Sequence, residues 1–107
     1  MIRGDTKYFN FKIKLPTGEY IDGSIYDEVE VQFNQQNIFT SLKYLKSKGQ
    51  VTWDIDHFVV YLSQADTFKL NDGTVEMQVR LKQSDIVKGT AIINVPVGRV
   101  LSKEVLD

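Results

Sequence analysis

The sequence predicts an all-β fold: a two-sheet antiparallel sandwich of about seven strands, forming a single domain over residues 1–107. Apolar and polar residues alternate in several segments, and this period of two is that of a strand with one buried face. The segments recur at intervals of roughly 8–12 residues and are separated by Gly, Pro, Asn and Asp. A closed barrel produces the same spacing and stays open as an alternative.

The composition limits the classes of function. The length suits one domain with its own core, and 42% hydrophobic and 25% charged residues are ordinary globular values. A net charge of −1, from 13 basic and 14 acidic residues, argues against a nucleic-acid partner, which requires an excess of Lys and Arg. The sequence has no cysteine, no signal-peptide pattern and no apolar run of membrane-spanning length. We therefore expect synthesis in the cytoplasm and no membrane partner.

The first two alternating segments predict a pair of strands. These segments are "KYFNFKIKL" and "SIYDEVEVQFN", with the turn residues of "PTG" and "DGS" between them. We expect the two strands to pair antiparallel, which brings Lys12 near Glu28 as an exposed ion pair. The residues predicted to face inward are Phe9, Phe11, Ile13 and Leu15 in the first strand and Ile25, Val29, Val31 and Phe33 in the second.

Three strands are predicted in the middle of the chain. "SLKYLKSKG" favours a short strand with Leu42 and Tyr44 on one side, and a short helix beginning at Ser41 is the alternative. "HFVVYLS" is a continuous apolar run of strand length, rich in β-branched and aromatic residues. "QVTWDID" predicts a strand whose inward residues are Val51, Trp53 and Ile55.

The last third of the sequence predicts one helical turn and two strands. Residues 65–70 are expected to form a helical turn that crosses from one sheet to the other, followed by a turn at "NDG". "TAIINV" is the last firm strand, and Ser102 and Glu104 are placed for a short C-terminal helix. "TVEMQVRLK" predicts a strand whose inward residues are Val75, Met77, Val79 and Leu81.

No group of residues predicts catalysis. His57 is the only histidine, and its neighbours Asp54 and Asp56 lack the spacing of metal ligands, so the "DIDH" segment is interpreted as a polar turn. No nucleophile elbow, calcium loop or phosphate-binding loop is present in the sequence. We therefore expect a protein that is not an enzyme and has no cofactor, no catalytic residue and no metal-binding residue. A lysine cluster around Tyr44 is interpreted as a solvated strand edge, formed by Lys43, Lys46 and Lys48.

Several short motifs resemble one family. An N-terminal "RGDT" precedes the aromatic first strand, followed by "PTGEYIDGS" and "VEVQF", and later by "YLSQADTFKL", "GTVEMQVR" and "INVPVGRVLSKEVL". Together these segments resemble the N-terminal domain of phage baseplate upper proteins and related small tail proteins of phages that infect Gram-positive bacteria. The resemblance covers nearly the whole chain, and its motifs are structural rather than catalytic.

The resemblance implies an immunoglobulin-like β-sandwich that acts as an assembly module of the phage tail, baseplate or neck, located in the virion. It implies other tail or baseplate proteins as partners, with self-association into a homo-oligomer open as an option. The larger baseplate proteins continue into segments that hold receptor-binding proteins, whereas this sequence ends at Asp107. The receptor-holding role is therefore not carried over.

Two further expectations concern surfaces. A carbohydrate- or cell-surface-binding module of the same fold is the alternative function, and it requires an exposed aromatic row drawn from Tyr8, Tyr20, Tyr26 or Trp53. The C-terminal segment stays apolar after the last firm strand, which suggests either a protein interface or packing on its own domain. The residues of this candidate interface are Val97, Val100, Leu101, Val105 and Leu106.

Overall fold

In a computed structural model of the chain, two antiparallel sheets pack face to face around one hydrophobic core. The structure describes residues 5–35, 40–71, 73–90 and 92–98. Within these residues one short α-helix, α1 (Gln64–Phe68), and two 3₁₀ turns, Gly23–Ile25 and Lys46–Lys48, accompany eight strands. The strands are β1 (Lys7–Phe11), β2 (Glu28–Gln35), β3 (Thr40–Leu45), β4 (Val51–Asp54), β5 (His57–Leu62), β6 (Gly73–Gln83), β7 (Ile86–Gly89) and β8 (Ile93–Val97).

The strand order confirms the all-β antiparallel sandwich. The smaller sheet has the order β1-β5-β4, and the larger has the order β3-β2-β6, with β7 and β8 both paired to the remaining edge of β6. The assignment of strands to the two sheets differs from that in immunoglobulin domains. There the second strand shares a sheet with the first and fifth, whereas here β2 lies between β3 and β6 in the other sheet. The larger sheet is thus four strands wide and faces a sheet of three.

The core joins the inward faces of both sheets. Phe33 of β2 is fully buried and contacts Phe9 of β1 across the sandwich, with ring centroids 5.7 Å apart. α1 carries the chain from the smaller to the larger sheet, as predicted, and the Ser63 side chain caps it by accepting a hydrogen bond from the amide of Asp66. The inward residues predicted for β6 and for the "SLKYL" segment are buried, namely Val75, Met77, Val79, Leu81, Leu42 and Tyr44.

The predicted pairing of the first two strands is wrong. β1 pairs with β5, and Lys12 forms its ion pair with Asp56 at 2.9 Å rather than with Glu28. The connection between β1 and β2 folds back on itself, since the amide of Leu15 donates to the carbonyl of Glu19, and the chain then crosses to the other sheet. Leu15 and Ile25, both predicted to face inward, are consequently exposed. The turn residues between the two alternating segments therefore form a local turn, and no hairpin joins β1 to β2.

β7 is a strand that the sequence pattern does not predict. All four of its residues are exposed, so no alternation of burial marks it. It follows β6 through the two-residue turn at Ser84 and Asp85, in which Ser84 adopts a φ of 54° and donates its amide hydrogen to Asp27 Oδ2. The contact with Asp27 holds the turn against the start of β2.

Ile55 is exposed rather than inward as predicted. It lies with Asp56 at the tip of the β4–β5 hairpin, where it is 90% exposed and has a φ of 54°. The interpretation of this segment as a polar turn between two strands is confirmed. A β-branched side chain at positive φ is strained by roughly 1–2 kcal/mol.

Replacing Ile55 is expected to stabilise the domain. We expect Ile55→Asn to raise the free energy of unfolding by about 1 kcal/mol, because asparagine tolerates positive φ and no buried contact is lost. Urea unfolding of the variant measures the change. Ile25→Asn is the matched control, since Ile25 is an exposed isoleucine outside the positive-φ region and its replacement should bring no gain. Equal effects of the two substitutions would contradict the assignment of strain to Ile55.

Candidate protein interface

Exposed aliphatic side chains are concentrated on the segment formed by β7 and the start of β8. Of the ten large hydrophobic residues that are exposed in the described part of the chain, four lie between positions 86 and 93. A cluster of exposed aliphatic side chains at the edge of a sheet marks a candidate contact surface, and here it lies on a short strand, β7, that also carries Lys88. We call this surface the aliphatic edge; its residues are Ile86, Val87, Ile92 and Ile93.

The pairing register on β6 shifts by one residue between β7 and β8, since Arg80 is paired with Gly89 and Met77 with Ile93. Thr90 lies at this point, and its amide donates to the carbonyl of Val79 at 2.8 Å while its Oγ1 accepts from the Val79 amide at 3.1 Å. The threonine hydroxyl thus takes the place of a backbone carbonyl in the ladder.

The two adjacent isoleucines lie on opposite faces of the sheet, as successive residues of an extended chain do. Ile92 lies beside Gln32, Asn34 and Gln78 on the outer face of the larger sheet. Ile93 is opposite the inward-facing Met77, yet it is 49% exposed. Within the described ranges, no strand pairs with the outer edge of β7 or of β8.

A groove lies between the two sheets next to the aliphatic edge. It has a volume of about 280 Å³, and one wall comes from the end of β1 and the residues that follow it, the other from β6 and β8. The groove exists because the three-stranded sheet does not extend far enough to cover the inner face of the four-stranded sheet. Its lining residues are Phe11, Lys12, Ile13, Lys14, Met77, Val79, Thr90 and Ile93.

The charges at the groove are both positive. Lys12 is held by Asp56, whose hydrogen bond raises the pKa of the lysine, and Lys14 Nζ lies 5.2 Å from the ring centroid of Tyr20. The hydrogen bonds from His57 and Lys12 lower the pKa of Asp56. None of the residues that line the groove is acidic, but Asp56 places one carboxylate beside this wall through its ion pair with Lys12. A further carboxylate at Lys14 would meet a cation that no described acidic residue pairs with.

The outer face of the larger sheet is polar, and its charges are paired internally. Arg80 binds Glu30 through two hydrogen bonds of 2.9 Å, which lower the pKa of the glutamate. Lys43 lies 3.9 Å from the same carboxylate, and Lys46 donates to the carbonyl of Tyr26 at 2.7 Å. Two lysines of the predicted solvated edge are thus engaged in contacts within the domain.

Exposed aromatic rings occur on the outer face of the smaller sheet. Tyr8 and Tyr61 are cross-strand neighbours, and their ring centroids are 4.9 Å apart. Trp53 instead packs edge-to-face on Phe58 at 4.8 Å and is only partly exposed, and Tyr26 packs against the core. The predicted inward position of Trp53 agrees with this packing, and Tyr20, which is also exposed, lies opposite Lys14 with the lysine Nζ 5.2 Å from its ring centroid.

The structure places one of the five predicted interface residues. Val97 lies in β8 and is buried in the core of its own domain, where it pairs with Gly73. The other four residues lie outside the described part of the chain, as does the predicted C-terminal helix. For these four the interface stays a prediction: Val100, Leu101, Val105 and Leu106.

The aliphatic edge was missed by reasoning from the sequence, although one signal was available. Two adjacent isoleucines, Ile92 and Ile93, cannot both face the core of a regular strand, because successive side chains point to opposite faces. The pattern shows that one of the two isoleucines faces outward. The exposure of the other depends on the missing cover over the inner face, which the local pattern of apolar residues does not encode.

The remaining observations concern chemistry and similarity. Among the described residues, no three His, Cys, Asp or Glu side chains are grouped closely enough to hold a metal ion. None of the described helical segments has the length and apolar character that crossing a membrane would require. No family model matches this chain, and neither a curated protein nor a solved structure matches it.

Proposed function

We propose that this chain is a non-enzymatic structural protein of a phage or prophage, an assembly module of the tail, baseplate or neck that resides in the virion. The resemblance of its motifs to phage baseplate upper proteins supports this assignment. Its partners are other tail or baseplate subunits, and it binds them as a folded β-sandwich.

The observation that carries the proposal is the aliphatic edge. Ile86 and Val87 are more than half exposed on a strand that has an unpaired outer edge among the described residues. Such an edge offers backbone hydrogen bonds and apolar side chains together, which is the combination used when one chain adds a strand to another. A module built for assembly requires a surface of this kind.

Incorporation into particles tests the proposal. We expect the chain to be present in purified phage particles, and the double substitution Ile86→Lys with Val87→Lys to reduce its incorporation severely, because two charges would be placed in an apolar contact. Quantitative mass spectrometry of gradient-purified particles measures the amount. Ile55→Lys is the matched control, because Ile55 is equally apolar and more exposed but lies on a different hairpin. Absence of the wild-type chain from particles would overturn the proposal.

The alternative function is binding of carbohydrate or another cell-surface molecule. The exposed pair of Tyr8 and Tyr61 favours it, since aromatic rings on an open sheet present apolar faces that suit sugar rings. A glycan array tests this function: binding that is lost in Tyr61→Ala and kept in Tyr20→Ala would support it.

A further inference from the structure

We propose that the groove between the two sheets binds an extended segment of a partner subunit, in which apolar side chains alternate with carboxylates. The inference rests on the proposed assembly function and specifies the partner's chemistry at one place on the domain. The segment lies beside the end of β1 and directs its apolar side chains into the groove. Its carboxylates face the wall that contains Lys12 and Lys14.

The first argument is the missing width of the smaller sheet. β1 is an edge strand whose other side is not paired with any strand in the described part of the chain. The larger sheet opposite has one strand more. Ile93 is consequently 49% exposed, whereas Met77, its partner on the neighbouring strand, is buried in the core. A fourth strand beside β1 would restore equal width and bury this surface.

The second argument is the chemical character of the groove. Its walls are largely apolar, with Phe11 and Ile13 half-buried on one side and Val79 and Ile93 on the other. Its volume of about 280 Å³ is far above the roughly 30 Å³ share of one water molecule and accommodates branched side chains. An extended chain matches it better than a compact ligand, because Phe11 belongs to the edge strand β1, whereas Ile13 and Lys14 beyond it already pair with Ile21 and Tyr20.

The third argument is charge. Lys12 and Lys14 line the groove, and no carboxylate does. Lys12 already has Asp56 as a partner, whereas Lys14 contacts the face of Tyr20, and no described carboxylate forms an ion pair with it. Opposite charges on neighbouring strands stabilise pairing and select register. The favoured occupant is therefore acidic at the position that adjoins Lys14.

Two blocked synthetic peptides test the proposal on the full chain. In one, valine alternates with glutamate; in the other, valine alternates with lysine. We expect the glutamate peptide to bind and to shift the backbone NMR signals of Ile13 and Ile93, and the lysine peptide to bind more weakly. Isothermal titration calorimetry supplies the affinities, and the preference for glutamate should diminish as salt is added.

Variants locate the binding. Lys14→Glu should weaken the glutamate peptide by roughly fivefold and strengthen the lysine peptide, as expected for an exposed ion pair. Ile93→Asp should weaken both peptides by about tenfold or more, because a carboxylate would be desolvated in the groove. Lys48→Glu is the matched control, since Lys48 lies in the 3₁₀ turn Lys46–Lys48, away from the groove lining, and should leave both affinities unchanged.

Four outcomes would overturn the proposal. Equal affinity of the two peptides, or insensitivity to Ile93→Asp, would exclude a groove of the proposed selectivity. Failure of both peptides to bind would show that the groove binds no extended segment. A concentration-dependent dimer that Ile93→Asp dissociates would assign the groove to a second copy of the chain.

The two proposals fail separately. If the glutamate peptide does not bind but substitution of Ile86 and Val87 abolishes incorporation into particles, only the groove assignment falls. If the peptide binds as expected and the chain is absent from particles, the groove assignment stands and the phage assignment falls. The substituted residues differ in the two tests, because neither Ile86 nor Val87 lines the groove.

Discussion

Phe33→Ala is expected to lower the free energy of unfolding by about 3–5 kcal/mol, the usual cost of removing a buried aromatic side chain. Phe33 has no exposed surface and packs between Phe9 of the smaller sheet and Tyr44 of β3, at centroid distances of 5.7 Å and 6.1 Å. The cavity would open at the plane where the two sheets meet. Since domains are stable by only about 5–15 kcal/mol, the loss would be large enough to leave a substantial unfolded population.

Urea unfolding, monitored by circular dichroism, measures the effect of Phe33→Ala. Tyr8→Ala is the control, because Tyr8 is an exposed aromatic residue of the same sandwich, and the loss of its cross-strand contact with Tyr61 should lower stability by no more than about 1 kcal/mol. A loss below about 1 kcal/mol for Phe33→Ala would mean that the two sheets do not depend on this side chain for their contact.

Gly23→Ala is expected to lower the free energy of unfolding by about 1–3 kcal/mol, through overpacking. A Cβ atom at this position would overlap the rings of Trp53 and Phe58, with Trp53 Cζ3 only 2.7 Å away. Both rings are held by the core, since Trp53 packs edge-to-face on Phe58 and Phe58 stacks on Phe11 at 5.2 Å. Neither ring can move aside without disturbing the other.

Gly89→Ala is the matched control for Gly23→Ala. A Cβ at Gly89 would meet Gln78 Nε2 at 3.5 Å, an ordinary van der Waals contact with a flexible side chain. The difference between the two variants in thermal or urea unfolding therefore isolates the effect of the aromatic rings. Similar stability of Gly23→Ala and the wild type would show that the turn Gly23–Ile25 can shift away from the smaller sheet.

The predicted interface and the one proposed from the structure differ for a physical reason. The sequence pointed to the C-terminal apolar residues, but Val97 belongs to the core because its strand pairs with β6. The aliphatic edge and the groove depend on how many strands each sheet contains, and on which residues the narrower sheet leaves uncovered. Those quantities follow from pairing between residues that are distant in the sequence.

The sequence by itself determined the elements with a strong local signal. The alternation in "TVEMQVRLK" defined β6 and its inward residues, and the break of that period in "QADTFKLNDG" predicted a helical turn over residues 65–70, where α1 spans Gln64–Phe68. These assignments succeeded because the period of a buried strand face, and its interruption, are visible within a few residues. The two-sheet antiparallel architecture followed from the number and spacing of such segments.

Only the tertiary structure decided which strands are partners and which surface stays open. β1 pairs with β5 rather than β2, because the residues between β1 and β2 form their own local turn and cross between the sheets. β7 had no apolar pattern, because it lies at an edge where both faces are exposed. Strand pairing joins residues far apart in the chain, and no local period encodes that choice. The candidate interface depends on which strands pair, because the pairing sets the number of strands in each sheet and therefore leaves the groove uncovered.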